Sequence, residues 1–545
     1  MKKISLTICA ALLCAGLGAQ NLNPTVTVTN DYEARAAAVD KKGVDMTVPD
    51  SLFRFDYKFD YSVFDSPYKG AYEFSPYSVK MTPSPTPYEG GTLYLRAGAG
   101  YTLRPELDVV WAPVVKDNFS MSVFGAGDGY LGPYSVSTSK PSLYDGAAAS
   151  LYNFSDNAGV DFHWNLGECD LVVEAGHDGI FSSAVSGAAS TYNSAYARAN
   201  LKSDAATGTY FFYDLDLLYR FGHDGFSGAY SCESLNEHNL LLGGSVGATV
   251  DTDWRFAMDF EVEAENLSGD ASATLMRVGA TPRVLFTLGS VAMSAGVELG
   301  YSDAFRVYPD IRAEIALLDG LMTAYGDFIG GERINTWHSS KLFSHRLLSS
   351  GIKEDKVTFG RDRYDTHLGV RGYLSRFQYD VSAGFGKVEN LHCDRLYPSS
   401  SGATEMLAWV DAHVLHADAS LSWKDENFEA DANLALCKDI VGDSESIDAY
   451  ARPLLSADAR FVYNWSKRIY AGLWCAANTA RVNFSGDDDD TIPGWFDLGL
   501  YGRYRLNHKW SFWAQLGNLL GSEVRESAAY VRQGRYFTVG IGLNL

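Results

Sequence analysis

The string Gly243-Gly244-Ser245-Val246-Gly247 has the Gly-x-Ser-x-Gly spacing of a nucleophile elbow, where a sharp strand-to-helix turn presents a serine to a general base. Here Ala248, Thr249 and Val250 carry an extended segment onward and no helical pattern follows, so a strand of small residues is expected instead. The 11 His are scattered, and spacing ties none of them to Ser245. The chain is not read as an enzyme. Gly176-His177-Asp178-Gly179 recurs as Gly222-His223-Asp224-Gly225. Two His-Asp pairs at neighbouring strand ends could ligate a metal, but Asp-Gly is an ordinary turn signal and turns in duplicated hairpins are the expectation. Four consecutive carboxylates, 487–490, lack the spaced oxygens of a calcium loop and are expected to form a self-repelling outer loop. No metal site and no cofactor site is read from these motifs.

A better-defined set comes from alternation. Arg255, Asp259, Glu261 and Glu263 share one face of a period-two segment, opposite Trp254, Phe256, Met258, Phe260 and Val262. Asp214, Asp216 and Arg220 stand opposite Tyr213, Leu215, Leu217 and Tyr219 in the same way, as do Glu429 and Asp431 opposite Phe428, Ala430 and Ala432. In a barrel with its apolar face outward these nine polar residues line the lumen, and such a lining favours cations or sugars over anions. A barrel interior must be polar in any case, so the acids are also accounted for as partners of Arg220, Arg255, Arg312 and Arg503.

The elements that must hold these residues are strands. Phe537, Val539, Ile541, Leu543 and Leu545 fall on one face at the C-terminal end, and the same period recurs from Trp510 to Leu516 and from Phe496 to Tyr504. A helix, with its period of about 3.6, would scatter these faces. Tight polar turns such as Trp465-Ser466-Lys467-Arg468 and Leu506-Asn507-His508-Lys509 alternate with longer stretches rich in Gly, Ser, Asp and Tyr, at 222–235, 330–361 and 390–404. Short turns at one end and long loops at the other are the build of an outer-membrane barrel. Counting turns predicts an all-β fold, a transmembrane antiparallel barrel of about 22 strands, with roughly 16–22 compatible with the boundaries.

Composition agrees. Lys and Arg against Asp and Glu give 45 − 67 = −22 over 545 residues, which excludes a basic nucleic-acid binder, and 46% hydrophobic content excludes a disordered chain. Lys2, Lys3 and the apolar stretch after them read as a signal peptide over 1–19, whose removal leaves −22 − 2 = −24. Beyond it no run of about eighteen uncharged apolar residues suggests a membrane helix. The five remaining cysteines, at 169, 232, 393, 437 and 475, match no metal knuckle or disulfide framework.

The ending Tyr530-Val531-Arg532-Gln533-Gly534-Arg535-Tyr536-Phe537-Thr538-Val539-Gly540-Ile541 resembles the last strand and preceding loop of TonB-dependent outer-membrane receptors, and Gly517-Asn518-Leu519-Leu520 resembles their Asn-Leu turn. The resemblance implies an outer-membrane barrel whose C-terminal strand is the signal read by the barrel-assembly machinery, with the C-terminus facing the periplasm. It implies transport of a solute, by receptor-like uptake or as a diffusion channel, the alternative being a non-transporting structural or interaction subunit of an outer-membrane assembly. Such receptors carry a globular plug before the barrel. Residues 20–90 are at the low end of what folds alone, so a full plug does not fit before a barrel at 91–545, and they are read as an N-terminal segment in the periplasm or the lumen. Phe53, Phe55, Tyr57, Phe59, Tyr61 and Val63 alternate as a strand, and Thr25-Val26-Thr27-Val28-Thr29 loosely resembles the box by which these receptors reach TonB. Val26 and Val28 are thus a coupling segment by resemblance and a β-prone peptide by composition. Expected partners are outer-membrane lipid, the assembly machinery and TonB or another envelope protein; no nucleic acid is expected.

Overall fold

The computed structural model describes residues 92–545, apart from 102, 132–151, 184–188, 204–209, 228–233, 252, 270–271, 346, 348–356, 400–401, 443–448, 485–490, 528–529 and 533. Val26, Val28, the strand expected over 53–63, the leader and the 487–490 acidic run lie outside the described residues.

Hydrocarbon offers no water to a backbone amide, so a strand can cross a membrane only if both of its edges are paired. The sheet has 22 strands, each hydrogen-bonded antiparallel to its neighbours in chain order. It closes where the first strand, Leu93–Tyr101, pairs with the last, Tyr536–Asn544, in a register running from Tyr94↔Asn544 to Tyr101↔Phe537. No edge remains to this sheet. Side chains alternate as the sequence predicts: Leu217, Tyr219, Phe221, Phe256, Met258 and Phe537 are exposed on the outer face, and the intervening residues face inward.

The barrel strands run from 8 residues, Trp510–Gly517, to 23, Phe377–Ser399. About 9–11 tilted residues cross a bilayer, so the longest hairpins project beyond it. They do so at one end only. The other end carries tight turns whose left-handed backbone matches strand twist: Gly167 (φ 87°), Gly289 (φ 62°), Leu318 (φ 51°), Ser375 (φ 58°), and both Ser466 and Lys467 (φ 53° and 55°). The chain enters its first strand and leaves its last at this tight-turn end.

Two expectations are corrected. Of the stretches expected as loops, 390–404 lies within the projecting hairpin that Phe377–Ser399 forms with Gly402–Lys424, and 222–235 begins as the end of Phe211–Ser227, whereas 330–361 is strand only at its two ends, in Met322–Asn335 and Thr358–Leu374. Both Gly-His-Asp-Gly strings, expected at turns, lie inside Cys169–Ser183 and Phe211–Ser227. In each case pairing to two neighbours overrides a local turn propensity. The small-residue string around Ser245 is a strand as expected, mid-way along Leu235–Asp251, with Ser245 opposite Asp214 and Asp259.

A repeated packing device fills the inner wall. An inward aromatic ring lies flat over the glycine directly opposite it on the next strand: Tyr196 over Gly176, Tyr325 over Gly369, Trp474 over Gly499, Tyr536 over Gly517. Only a residue without a Cβ admits so close an approach. At the closing seam Trp513 covers two glycines in one row, Gly540 on the last strand and Gly98 on the first. The Arg96 guanidinium sits 4.0 Å from the indole centroid and pairs with Asp108 at 3.1 Å and Glu106 at 3.2 Å. Arginine, indole and two bare backbones thus lock the seam.

A Cβ at Gly540 would collide with the Ala97 carbonyl oxygen, which is backbone and cannot rotate aside, and with the indole. At Gly502, by contrast, a Cβ meets nothing within 4 Å. Gly540→Ala should destabilise the barrel by about 1–3 kcal/mol and lower the temperature at which its compact, fast-migrating form is lost on electrophoresis. Gly502→Ala should leave that temperature unchanged or slightly raised. Equal shifts in the two variants would contradict the seam argument.

Candidate functional site

Six of the nine inward residues of the alternation pair with an opposite charge on the neighbouring strand. Asp259 meets Arg283, and Glu261 meets Arg277, which also reaches Glu298 at 3.1 Å. Asp216 accepts from Arg198 at 2.7 Å, Asp214 lies 3.3 Å from Lys202, and Arg460 spans Asp431 and Glu429 at 3.0 and 3.3 Å. Glu263 is buried and accepts from Asn239 Nδ2 at 3.1 Å and from the Ile334 N–H. Arg220 donates to Asp178 at 2.5 Å and to Ser194 at 2.6 Å, and it stacks on Tyr196. Arg255 lies at the tight-turn end of its strand, opposite Thr249 and Leu285.

The arginines singled out from the sequence are not the main neutralisers. Arg198, Lys202, Arg277, Arg283 and Arg460 take that role, because each sits across a strand from its acid. Arg312 pairs with Asp310 at 3.2 Å, and Arg503 stacks on Tyr470 at 4.3 Å. Partly exposed pairs of this kind contribute about 0–1 kcal/mol each. Their effect is to hold side chains in a fixed lattice along the wall, while acids such as Asp214 and Glu429 keep substantial exposure.

At the long-loop end the wall is covered from within. The segment between Met322–Asn335 and Thr358–Leu374 folds inward as a short helix, Trp337–Phe343, capped by Thr336, whose hydroxyl accepts from the Ser339 N–H at 3.1 Å. Trp337 and Leu347 pack on Ile180, Tyr192, Leu235 and Leu267, which face inward from four strands of one side of the wall. Polar groups fix the contact. Trp337 Nε1 donates to Asp224 Oδ2 at 2.9 Å, and the His338 N–H donates to Glu237 Oε1 at 2.9 Å. Tyr192 OH holds the other Glu237 oxygen at 2.9 Å. Lys341 is completely buried: its Nζ donates to Ser190 Oγ at 2.6 Å and to the His345 and Leu347 carbonyls at 3.0 and 3.2 Å, and stands 3.5 Å from Asp224.

Two arms of the same network reach further around the ring. Ser182 donates to the His345 carbonyl at 2.7 Å, and His345 Nδ1 lies 3.0 Å from Asn153 Oδ1. On the opposite flank Arg361 ties Glu332 and Asp303 at 2.6 Å each. The Arg306 guanidinium beside Asp303 holds that carboxyl well below the usual carboxylate range. Burial, followed by the charge of Arg220, pulls His338 down to about 4, so the ring is neutral in the docked segment.

None of these docking residues was marked in the sequence except Asp224, which was read as part of a turn. The usable signal was modest: Thr336 followed by Trp337 and three residues later by Ser340 and Lys341, inside a stretch otherwise read as loop. A lysine whose charge is buried carries no local sequence mark, since its partner Asp224 lies 117 residues earlier (341 − 224).

No protein-family model matches the sequence, and none of the curated proteins matches it. Solved structures do, 240 chains among them. The copper transporter OprC is similar at 15% identity and TM-score 0.60, with 84% of this chain and 80% of that one covered. The siderophore receptor PirA of Acinetobacter baumannii aligns at 10% identity and TM-score 0.62, over 84% and 80% of the two chains. The FrpB iron transporter of Neisseria meningitidis aligns at 8% identity and TM-score 0.63, over 84% and 82%. At these identities what is shared is the fold, a large closed antiparallel β-barrel.

Lys341→Met should leave Asp224 buried without its cation, a loss that typically costs about 3–5 kcal/mol. Amide exchange at Ser340 and Ser344 should then accelerate, while the barrel strands keep their protection; unchanged exchange would contradict the docking role of the pair. The docked segment should also respond to acid. A histidine with a depressed folded pKa stabilises fully above its ordinary value near 6.5, and that contribution is lost as pH falls from about 6.5 towards 4. Protection factors at the same amides, corrected for the intrinsic pH dependence of exchange, should fall across that window, and His338→Gln should flatten the fall.

Proposed function

We propose that this chain is an outer-membrane transporter of the TonB-dependent receptor type, moving a solute through the barrel along its acidic inner wall. The observation that carries the reading is a closed 22-strand barrel, with the fold of copper and siderophore transporters, into whose mouth a buried, ion-paired segment is folded. A scaffold needs no such closure. A transporter that must hold its path shut until energised does.

On this reading the tight-turn end, with the C-terminus, faces the periplasm, and Tyr536–Asn544 is the strand recognised by the barrel-assembly machinery. Residues 20–90 serve as a reduced plug, and the segment around Val26 and Val28 adds a strand to TonB. The partly exposed acids Asp214, Asp216, Glu261, Glu429 and Asp431 bias the path towards cationic or sugar-like solutes. Catalysis has no part in the scheme, since Ser245 sits on a flat strand rather than on the sharp turn a nucleophile elbow needs.

Strand addition depends on backbone N–H donors, which proline lacks. A photo-crosslinker at Thr27 should capture the TonB C-terminal domain in cells, and Val26→Pro with Val28→Pro should abolish capture while the barrel still assembles. Capture that survives both prolines would remove this coupling segment. Stable co-purification with another envelope protein and no TonB capture would instead favour the structural-subunit reading.

A further inference from the structure

Three adjacent strands carry a row of side chains that neither the ion-pair lattice nor the docked segment uses. In Thr358–Leu374, Phe377–Ser399 and Gly402–Lys424 the register sets His367, Gly384 and His416 side by side on the inner face. Gly384 makes the approach of the two imidazoles feasible, because a Cβ there would stand 2.8 Å from His416 Nε2. Across the bare glycine the ring centroids are 4.3 Å apart.

Asp365 lies two residues before His367 and so on the same face. Its Oδ1 is 2.9 Å from His416 Nε2, and its Oδ2 is 3.8 Å from His367 Nε2. One carboxylate oxygen and two imidazole nitrogens therefore come within 4.8 Å of one another, the one such group of three among the described residues. Ligand atoms at about 2.0–2.1 Å from a tetrahedral ion stand roughly 3.3 Å apart, so this trio brackets the required spacing. Asp418 Oδ2 lies 4.0 Å from His416 Nδ1, on the far side of the ring, where an outer carboxylate orients a ligating histidine.

The wall alongside is built to attract cations. Asp418 lines a recess with Asp380, Asp458, Ser382, Ser420 and Tyr325. The Tyr325 hydroxyl donates to Asp380 at 2.6 Å, and Asn433 Nδ2 donates to Asp458 at 3.0 Å.

We propose that Asp365, His367 and His416 bind a divalent late transition metal, of the Zn2+ or Cu2+ class, on the lumen wall. Two imidazoles and one carboxylate suit borderline ions more than Ca2+ or Mg2+, which take oxygen-only sets. Three protein ligands leave the fourth position to water or to a donor atom on a passing solute, in contrast to a four-ligand structural site. The proposal stands on this geometry and does not rest on the transport reading, so a barrel that binds zinc but moves nothing would separate the two.

The test is Zn2+ binding to the full chain, refolded metal-free in detergent and titrated against a chromophoric chelator. The wild type should hold one equivalent tightly. His416→Gln and Asp365→Asn should each weaken it by more than the roughly 10–100-fold that loss of an outer supporting group costs. His163→Gln, at the exposed His163–Asp170 pair, should leave it unchanged. Co2+ in place of Zn2+ should give a visible absorption band that both site variants lose, with heat-modifiable migration confirming that each variant is folded. A tight equivalent that persists in both variants, or a wild type that holds none, overturns the site.

Discussion

Every backbone N–H and C=O that crosses a membrane must find its partner in the protein, and the rest of this structure follows from that constraint. It excludes an open sheet, so the first and last strands must pair. It fixes period two along each strand, because lipid lies on one side and water or polar side chains on the other. Closure in turn sets the packing problem at the seam, where strands separated by almost the whole barrel sequence must meet in register. Trp513 across Gly540 and Gly98, with Arg96 stacked above, supplies a side-chain lock for a joint that the chain's own connectivity does not enforce. The same ring-over-glycine contact recurs around the wall, at Gly176, Gly369, Gly499 and Gly517.

The interior is organised by the cost of burying charge. Where water reaches the wall, acids and bases pair loosely and retain exposure, and each pair adds little to stability. Where the in-folded segment excludes water, two acids collect several partners each: Asp224 receives Trp337, Ser190 and Lys341, and Glu237 receives Tyr192 and the His338 amide. Such a contact is stable as a unit and costly to break piecemeal. One connection between two strands supplies the helix and its flanking residues.

The alternation around Trp254, Tyr213 and Phe428 was enough to predict the barrel and to place the nine polar residues on one face, because period two is a direct image of lipid on one side of a strand. Asn518 was legible for a similarly local reason. Its left-handed backbone (φ 46°) and its two side-chain hydrogen bonds to Ser522, at 2.8 Å each, make the Asn-Leu turn a compact structure of its own. The choice of ion-pair partners was not legible, because Arg283 and Asp259 are neighbours only through a register that the sequence does not state. The docked helix was hidden for the same reason: its burial depends on Ile180, Tyr192 and Leu235, on strands far away in the chain. The His367–His416 row needs the register of three strands together with an empty glycine between them, and spacing along the chain carries no trace of either.

Single-channel conductance of the refolded chain in planar bilayers tests the central claim, a barrel held shut by its own polypeptide, most directly. The full chain should be silent at neutral pH and moderate salt, and removal of 20–90 together with release of the docked segment by Lys341→Met should produce steady ohmic openings with a preference for cations. Steady openings from the unaltered chain would make it a diffusion channel and contradict the account.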